Sequence, residues 1–167
     1  ARDHEAALQP RHLGDQVASF ADEVTWQPGA SVRCLDTGSD TPTGGRIARA
    51  ASLLAGRTVC VTYGDGLADI NLAALLESHT ANGMAGTMTV VRPELQFGVA
   101  EVTDEDRITG FREKPRSEHW VNGGFLCLEP EALDRIGADD VLEREPLAGL
   151  ATDGLLRAHR HEGFWGC

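Results

Sequence analysis

The hydrophobic pattern is clearest beyond the N-terminal segment of the chain. An apolar run at residues 31–35 predicts a strand, and the turn-rich residues 36–45 predict a loop. Apolar residues at helical spacing predict a helix over residues 46–54, which Gly56 is placed to end. Residues 58–63 form a β-branched run without alternation, which is typical of a central strand buried on both faces.

The same alternation of helix and strand continues after this run. Residues 70–79 predict a helix that Asp69 can cap, and residues 87–91 predict another short apolar strand. The residues that share the apolar face of this helix are Leu72, Leu75, Leu76 and His79. Strand–helix–strand segments of this length suit parallel crossovers, so the pattern predicts an α/β fold.

The remaining segments are shorter. Residues 14–24 predict one helix, and residues 98–103 with 107–113 predict a hairpin. The later elements that the pattern predicts are a strand at 120–128, helices at 131–136 and 147–152, and a last strand at 155–161. We find no internal repeat or linker, which favours a single domain with a mixed sheet.

Composition and charge exclude several classes of protein. The 167 residues are 41% hydrophobic and 25% charged, which argues against disorder, collagen and coiled coil. A net charge of −11 gives no overall positive field for nucleic acid or an anionic membrane. No apolar run is long enough to span a bilayer and the acidic start is unlike a signal peptide, so we expect a cytoplasmic protein with neither kind of partner.

The cysteines are too widely spaced for a zinc knuckle or a C-x-x-C redox pair. They are Cys34, Cys60, Cys127 and Cys167. Three of the four lie in apolar runs, so we expect buried, reduced thiols.

The strongest local feature for chemistry is the turn that follows the most hydrophobic strand. There Asp65 stands between Gly64 and Gly66, and ligands of open α/β sheets bind beyond the carboxyl ends of strands. A carboxylate at that place suits Mg²⁺ that also holds substrate phosphates. An ordinary turn aspartate is the alternative interpretation.

Two further segments are candidates for binding phosphate. Thr41 to Arg46 run from a loop of small residues into a predicted helix start, where N–H groups and a guanidinium can hold an anion; a plain loop with a helix cap is the alternative. Lys114 is the only lysine among 15 basic residues, which suggests a need for a compact ammonium, although a solvated turn lysine explains it equally.

A double glycine interrupts the predicted strand at residues 120–128. Gly123 and Gly124 weaken a strand, so they indicate either a bulge or a ligand lying on the backbone, with Asn122 as a hydrogen-bonding side chain.

Seven segments from about Leu35 to Cys167 resemble a known family in their order and spacing. They are Asp36-Thr37-Gly38, Thr43-Gly44-Gly45-Arg46, Thr62-Tyr63-Gly64-Asp65-Gly66, Glu113-Lys114-Pro115, Asn122-Gly123-Gly124-Phe125, Glu145-Pro146-Leu147 and Gly163-Phe164-Trp165. The family that they resemble is glucose-1-phosphate cytidylyltransferase. The resemblance implies a Rossmann-like nucleotidyltransferase fold, which is an α/β fold with a mixed, mostly parallel sheet flanked by helices.

The resemblance also implies an activity and a set of site residues. The implied enzyme joins CTP to glucose 1-phosphate with Mg²⁺, giving CDP-glucose and pyrophosphate for nucleotide-sugar and lipopolysaccharide O-antigen synthesis. Asp65 would bind the metal ion, and Asp65, Lys114 and Arg46 would be catalytic. The implied nucleotide-binding residues are Thr41, Thr43, Gly44, Gly45, Arg46, Tyr63 and Gly64. The implied sugar-phosphate residues are Glu113, Lys114, Asn122 and Gly123.

The chain also departs from the family pattern. Residues 1–34 contain nothing like the family's Gly-Thr-Arg loop and its following lysine, and the family's second metal aspartate comes just after the segment at which this sequence stops. We therefore interpret 1–34 as a poorly matched segment and 35–167 as the central part of a nucleotidyltransferase domain that is incomplete at both ends.

These departures set further expectations. We expect little or no transferase activity from the chain as written, and exposed strand edges that favour association between copies of the chain. The alternatives are another sugar-1-phosphate nucleotidyltransferase, for example one that uses dTTP, and a non-catalytic module that binds nucleotide or sugar phosphate.

Overall fold

The computed structural model describes residues 4–10, 13–54 and 56–167, and the chain folds into two units. The first unit comprises Ala1–Thr58 with Glu129–Asp153, and the second comprises Val59–Leu128 with Gly154–Cys167. No helix of the described residues is long and apolar enough to cross a membrane.

The first unit begins with a crossover between parallel strands. Strand β1 (His4–Leu8) pairs in parallel with β2 (Ala30–Cys34), and helix α1 (Gly14–Glu23) connects them. The structure confirms α1 and β2 within one residue of the predicted bounds. Strand β1 is not predicted because its sequence lacks a β-branched run, and the pairing with β2 supplies its backbone hydrogen bonds instead.

The loop and helix predicted at residues 36–54 have different bounds in the structure. Helix α2 (Thr43–Arg49) begins three residues before the predicted start, and Ala50 separates it from α3 (Ala51–Leu54). The early start is possible because Gly45 packs directly on backbone and its N–H donates to the Asp140 carbonyl at 3.1 Å. Gly56 follows with a φ of +72°, as expected of a glycine that ends a helix.

Two short helices complete the first unit. They are α5 (Pro130–Leu133) and α6 (Glu145–Thr152). Both begin earlier than predicted, and both carry proline in the first turn, where its missing N–H costs no helical hydrogen bond. The buried apolar residues of the first unit are Ala21, Ile47, Ala50, Ala132, Ile136, Leu142, Leu147 and Leu150.

A four-stranded sheet forms the second unit. Its strands, in spatial order, are β3 (Val59–Thr62), β8 (Val121–Leu128), β5 (Gly86–Val91) and β9 (Leu156–Arg160). Strand β8 is antiparallel to β3 and β5, whereas β9 is parallel to β5, so three of the four strands run in one direction. This arrangement confirms the prediction of a mixed sheet, in which two of the three strand pairings are antiparallel. It also shows that β8 lies between the two strands that helix α4 (Leu72–Asn82) connects along the chain.

Two predictions about burial in the second unit are wrong. Strand β3 has only β8 as a neighbour in the described part of the chain, and its Cys60 and Thr62 are exposed, so it is an edge strand and not a strand buried on both faces. On α4 the buried stripe is narrower than predicted: Leu75 and His79 are buried, one helical turn apart. The predicted face members that are exposed instead are Leu72 and Leu76.

The helix cap and the cysteine environments also differ from the predictions. Asn71, not Asp69, caps α4 by accepting a hydrogen bond from the Ala74 N–H at 3.0 Å. Among the cysteines only Cys127 is buried. Cys60 and Cys167 are exposed and Cys34 is half-buried, so the expectation of buried thiols holds for one residue of the four.

The second unit also contains two small strand pairs. Strands β6 (Val99–Val102) and β7 (Ile108–Arg112) form the predicted hairpin. Strand β4 (Leu67–Ala68) pairs antiparallel with β10 (Trp165–Gly166), which the hydrophobic pattern does not predict because two-residue strands carry no periodicity.

Candidate functional site

The turn after β3 presents a carboxylate to solvent. Asp65 is exposed, and a side chain built on the adjacent Gly64 would have no atom within 4 Å. Solvent therefore reaches both the carboxylate and the backbone beside it, and ligand binding at this strand end stays a prediction.

The N-terminal part of β8 meets this turn through a set of hydrogen bonds. The Tyr63 N–H donates to the Gly124 carbonyl at 3.3 Å, and the Asn122 amide nitrogen donates to the Tyr63 hydroxyl at 3.4 Å. The Asn122 amide oxygen accepts from the Gly124 N–H at 2.9 Å. Two of the predicted site residues, Tyr63 and Asn122, are thus brought together, and Gly123 follows Asn122 directly in β8.

Gly124 makes the close approach to Tyr63 possible. Its φ is +79°, and a Cβ built on it would lie 3.0 Å from Cδ2 of the Tyr63 ring. The pairing of β8 with β5 shifts register between Met88 and Val90, so the bulge that the double glycine indicates is present. A glycine here avoids both the strain of a left-handed backbone and a clash with the ring.

Trp165 belongs to the same cluster, although the predicted site residues do not include it. Its indole N–H donates to the Gly123 carbonyl at 2.9 Å. The segment before it is held by a 3.0 Å contact between His161 Nε2 and Asp69 Oδ1, and a Cβ on Gly163 would lie only 2.3 Å from that oxygen. The Gly-Phe-Trp segment was the available signal, since it is part of the family resemblance.

Glu113 and Lys114 directly follow β7 and are both exposed. Lys114 has a φ of +43°, which is uncommon for a residue other than glycine and occurs frequently at functional sites. The Glu113 carboxylate lies 2.9 Å from the position that a Cβ on Gly98 would occupy, so this glycine leaves room for it. The charges of both residues face solvent and remain accessible.

The predicted phosphate-binding residues of the first unit have a different environment. Arg46 is 8% exposed, and its guanidinium donates to the Thr37 hydroxyl at 2.7 Å and to the Gly38 carbonyl at 3.0 Å. It also donates to the Ser39 carbonyl at 3.2 Å, so three groups of one loop share this cation. In the structure Arg46 stabilises the loop, and its contact with a phosphate stays a prediction.

The neighbouring residues are also engaged inside the first unit. The Thr41 hydroxyl donates to the Thr37 carbonyl, and the Thr43 hydroxyl donates to the Glu143 carboxylate at 2.7 Å. Gly44 and Gly45 are buried, and Cβ atoms on them would lie 2.7 Å and 2.1 Å from backbone oxygens. This segment is held rigidly by packing and hydrogen bonds, in contrast to the exposed turn at Asp65.

The described residues contain no group of three or more His, Cys, Asp or Glu side chains that could hold a metal ion. Mg²⁺ commonly keeps several waters and binds one or two carboxylates together with substrate phosphates. The single exposed carboxylate of Asp65 fits an ion of that kind, carried by a phosphate ligand.

Comparison with known proteins gives a family match and similar curated proteins. Residues 17–162 match the family model described as nucleotidyl transferase. A protein of Bacillus subtilis (strain 168) named probable glucose-1-phosphate cytidylyltransferase is 41% identical over 152 residues, covering 90% of this chain and 58% of that protein. The glucose-1-phosphate cytidylyltransferase of Salmonella typhi is 38% identical over 138 residues, covering 81% of this chain and 53% of that protein. The chain thus spans little more than half the length of these relatives.

Solved structures with the same fold are more distant in sequence. The crystal structure of HddC from Yersinia pseudotuberculosis superposes with a TM-score of 0.66 at 14% identity, covering 96% of this chain and 70% of that one. The predicted Rossmann-like nucleotidyltransferase fold is thereby confirmed.

Proposed function

Because this chain belongs to the nucleotidyl transferase family, we propose that the protein transfers a cytidylyl group from CTP to glucose 1-phosphate, producing CDP-glucose and pyrophosphate. The observation that carries the choice of substrates is the 41% identity, over 90% of this chain, to the Bacillus subtilis relative whose name states this reaction. Relatives named as mannose-1-phosphate guanylyltransferases match less of the chain at lower identity, for example 36% over 67% of it.

In the proposed reaction a phosphate oxygen of glucose 1-phosphate attacks the α-phosphorus of CTP. The new P–O bond forms as the bond to the pyrophosphate oxygen breaks, and pyrophosphate leaves with its electron pair. Phosphoryl transfer of this kind needs positioning and charge neutralisation more than a covalent nucleophile. The residues of this chain therefore act by binding and orienting the two substrates.

The second unit supplies the charged groups of the proposed site. Asp65 would hold Mg²⁺, which supplies neutralisation of negative charge on the nucleotide phosphates. Lys114 would contact the phosphate of glucose 1-phosphate, and its exposed ammonium supports this role. Tyr63 and Gly64 would lie along the nucleotide.

The sugar would bind at the N-terminal part of β8. The amide oxygen of Asn122 accepts a hydrogen bond from the Gly124 N–H. The amide nitrogen of Asn122 makes only a long 3.4 Å contact with Tyr63, so it is available to a sugar hydroxyl. Glu113 would accept a hydrogen bond from another hydroxyl, and Gly123 would let the sugar approach the backbone. The rigid loop of Thr41 to Arg46 would present the nucleotide-binding surface of the first unit.

Binding to the chain itself tests the substrates and the role of Asp65. We expect calorimetric titration with Mg²⁺ present to give a dissociation constant for CTP about tenfold lower than for dTTP or GTP, a difference of about 1.4 kcal/mol. Asp65→Asn should remove most of the gain in affinity that Mg²⁺ provides. Because Asp65 is exposed, this variant should unfold at the same urea concentration as the original chain.

Asp104→Asn is the matched control, since Asp104 is exposed in the turn of the β6–β7 hairpin. It should leave the response to Mg²⁺ unchanged. Equal or tighter binding of dTTP would contradict the choice of CTP. Binding of CTP and glucose 1-phosphate without pyrophosphate release by the full-length protein would instead favour a non-catalytic module.

A further inference from the structure

Two cysteines of the second unit face each other across neighbouring strands. Cys60 on β3 and Cys127 on β8 are directly opposed in the antiparallel register. Directly opposed residues point to the same face of a sheet, and the two Sγ atoms lie 3.6 Å apart. The pair sits within the ladder itself, so the fold determines its geometry.

The strand register places the two backbones at a distance that suits a disulfide. Opposed residues of antiparallel strands have Cα atoms about 4.5–5.5 Å apart. Disulfides span Cα separations of roughly 4.4–6.8 Å, so bond formation here needs rotation of the side chains and no displacement of the strands.

The two thiols differ in access to solvent. Cys60 is exposed, whereas Cys127 is 0% exposed. A hydrogen bond from the Cys127 thiol lowers the pKa of Cys60 to about 7, and partial burial opposes this shift. A substantial thiolate fraction at neutral pH, on the accessible member of the pair, is the property of a cysteine that reacts with oxidants.

We propose that Cys60 and Cys127 are a redox-responsive pair that closes to an intramolecular disulfide when a peroxide oxidises Cys60. The Cys60 thiolate attacks one oxygen of hydrogen peroxide; an S–O bond forms, the O–O bond breaks and hydroxide leaves, so sulfur loses two electrons to the peroxide. The Cys127 sulfur then attacks the sulfenic sulfur of Cys60. The S–S bond forms, and the sulfenic oxygen leaves as water with the Cys127 proton.

The disulfide would connect the two strands that carry the cluster described above. Strand β3 leads directly to Tyr63 and Asp65, and β8 contains Asn122 and Gly123. The proposal rests on the strand register and the two thiols, and it does not depend on which nucleotide the protein uses.

Peptide mapping of the oxidised chain tests the pairing without any variant. The purified, reduced chain is treated with hydrogen peroxide, its remaining thiols are alkylated under denaturing conditions, and it is digested with trypsin. Because trypsin does not cut the Arg92–Pro93 bond, we expect residues 58–107 to be linked to residues 117–135, with a loss of two hydrogen atoms that a thiol reductant reverses. Cys34 and Cys167 should remain available for alkylation.

Two variants separate the roles of the paired sulfurs. In Cys127→Ala, Cys60 should accumulate as a sulfenic acid that dimedone traps, because no second thiol lies opposite it. The loss of the hydrogen bond should also lower the alkylation rate of Cys60 at pH 7 on the order of fivefold, and move its pH midpoint upward from about 7. Cys34→Ser is the control and should still form the link.

Other results would overturn the proposal. The proposal is wrong if Cys60 and Cys127 both remain open to alkylation at a peroxide dose that has already oxidised Cys34 and Cys167. A link that joins two chains through Cys167, in place of the internal link, would equally contradict it. An unchanged pH midpoint for Cys60 in Cys127→Ala would show that the buried thiol does not assist the exposed one.

Discussion

The two regions predicted to bind ligand use their polar residues differently. In the first unit the Arg46 guanidinium is buried and bonded to three groups of the loop that precedes α2. In the second unit the charges of Asp65, Glu113 and Lys114 are exposed, while the hydrogen bonds that shape the site come from Tyr63 and the backbone of β8. The charged group of the first region therefore maintains the shape of its loop, whereas the charged groups of the second region are available to ligands.

This difference shows why residue type alone does not identify a phosphate ligand. An arginine beside a loop of small residues is expected to bind an anion, but a guanidinium has five N–H donors and can satisfy backbone carbonyls equally well. Burial decides between the two roles. We therefore expect substitutions in the first region to act mainly on stability, and substitutions of the exposed charges to act mainly on binding.

The largest expected effect comes from Gly45→Ala in the first region. The added Cβ would lie 2.1 Å from the Ala138 carbonyl oxygen. The backbone fixes the position of both atoms, so no side-chain rotation can relieve the clash. We expect the free energy of unfolding to fall by about 3 kcal/mol, at the upper end of what overpacking costs. Urea unfolding followed by circular dichroism measures it.

Gly149→Ala is the matched control for that substitution. Gly149 is also a helical glycine, on α6, but a Cβ there would meet no atom within 4 Å. Replacing it should raise the stability by about 0.5–1 kcal/mol, because alanine is the better helix former. Equal effects at the two glycines would contradict the close packing of the first region.

Replacing the buried cation is expected to cost slightly less than Gly45→Ala. Arg46→Ala removes three hydrogen bonds and leaves the hydroxyl of Thr37, which is 2% exposed, without its donor, so we expect a loss of roughly 2–3 kcal/mol. Arg46→Lys should recover part of this, since an ammonium cannot reproduce the planar fork. The unfolding midpoint in urea gives both values.

Arg33→Ala provides the control for loss of a cation. Arg33 pairs with Glu5 at 3.2 Å, but its side chain is 59% exposed, so its removal should cost less than about 1 kcal/mol. If Arg46→Ala were as mild, and weakened nucleotide binding instead, the guanidinium would be a ligand and the contrast between the two regions would disappear.

The sequence predicts most elements because their periodicity is local. Helix α4, the hairpin and the strands of the main sheet all lie where their apolar residues place them. Pairing is not local: β8 lies between β3 and β5 although it follows both in the chain. Cys60 lies opposite Cys127 because of that strand order, so no spacing in the sequence indicates the pair.

The candidate site is predictable to a similar degree. Motifs locate Asp65 and Asn122 because turns and double glycines are local signals. The burial of Arg46 and the hydrogen bond from Trp165 to Gly123 are tertiary contacts, and the sequence contains only the residues that make them.

The smallest expected effect is the difference in stability loss between substitutions of two tryptophans that make the same kind of hydrogen bond. Trp165 donates to the Gly123 carbonyl and Trp26 donates to the Ala21 carbonyl, each at 2.9 Å. Gly123 is buried in β8, so Trp165→Phe leaves a carbonyl that water reaches poorly and should cost about 1 kcal/mol. Ala21 is also buried, but the Trp26 side of this contact borders solvent, since Trp26 is 38% exposed. In Trp26→Phe water can follow the smaller ring to the Ala21 carbonyl, so a few tenths of a kcal/mol are expected. Equal losses in urea unfolding would mean that the second region is no more dependent on its internal hydrogen bonds than the C-terminal end of α1.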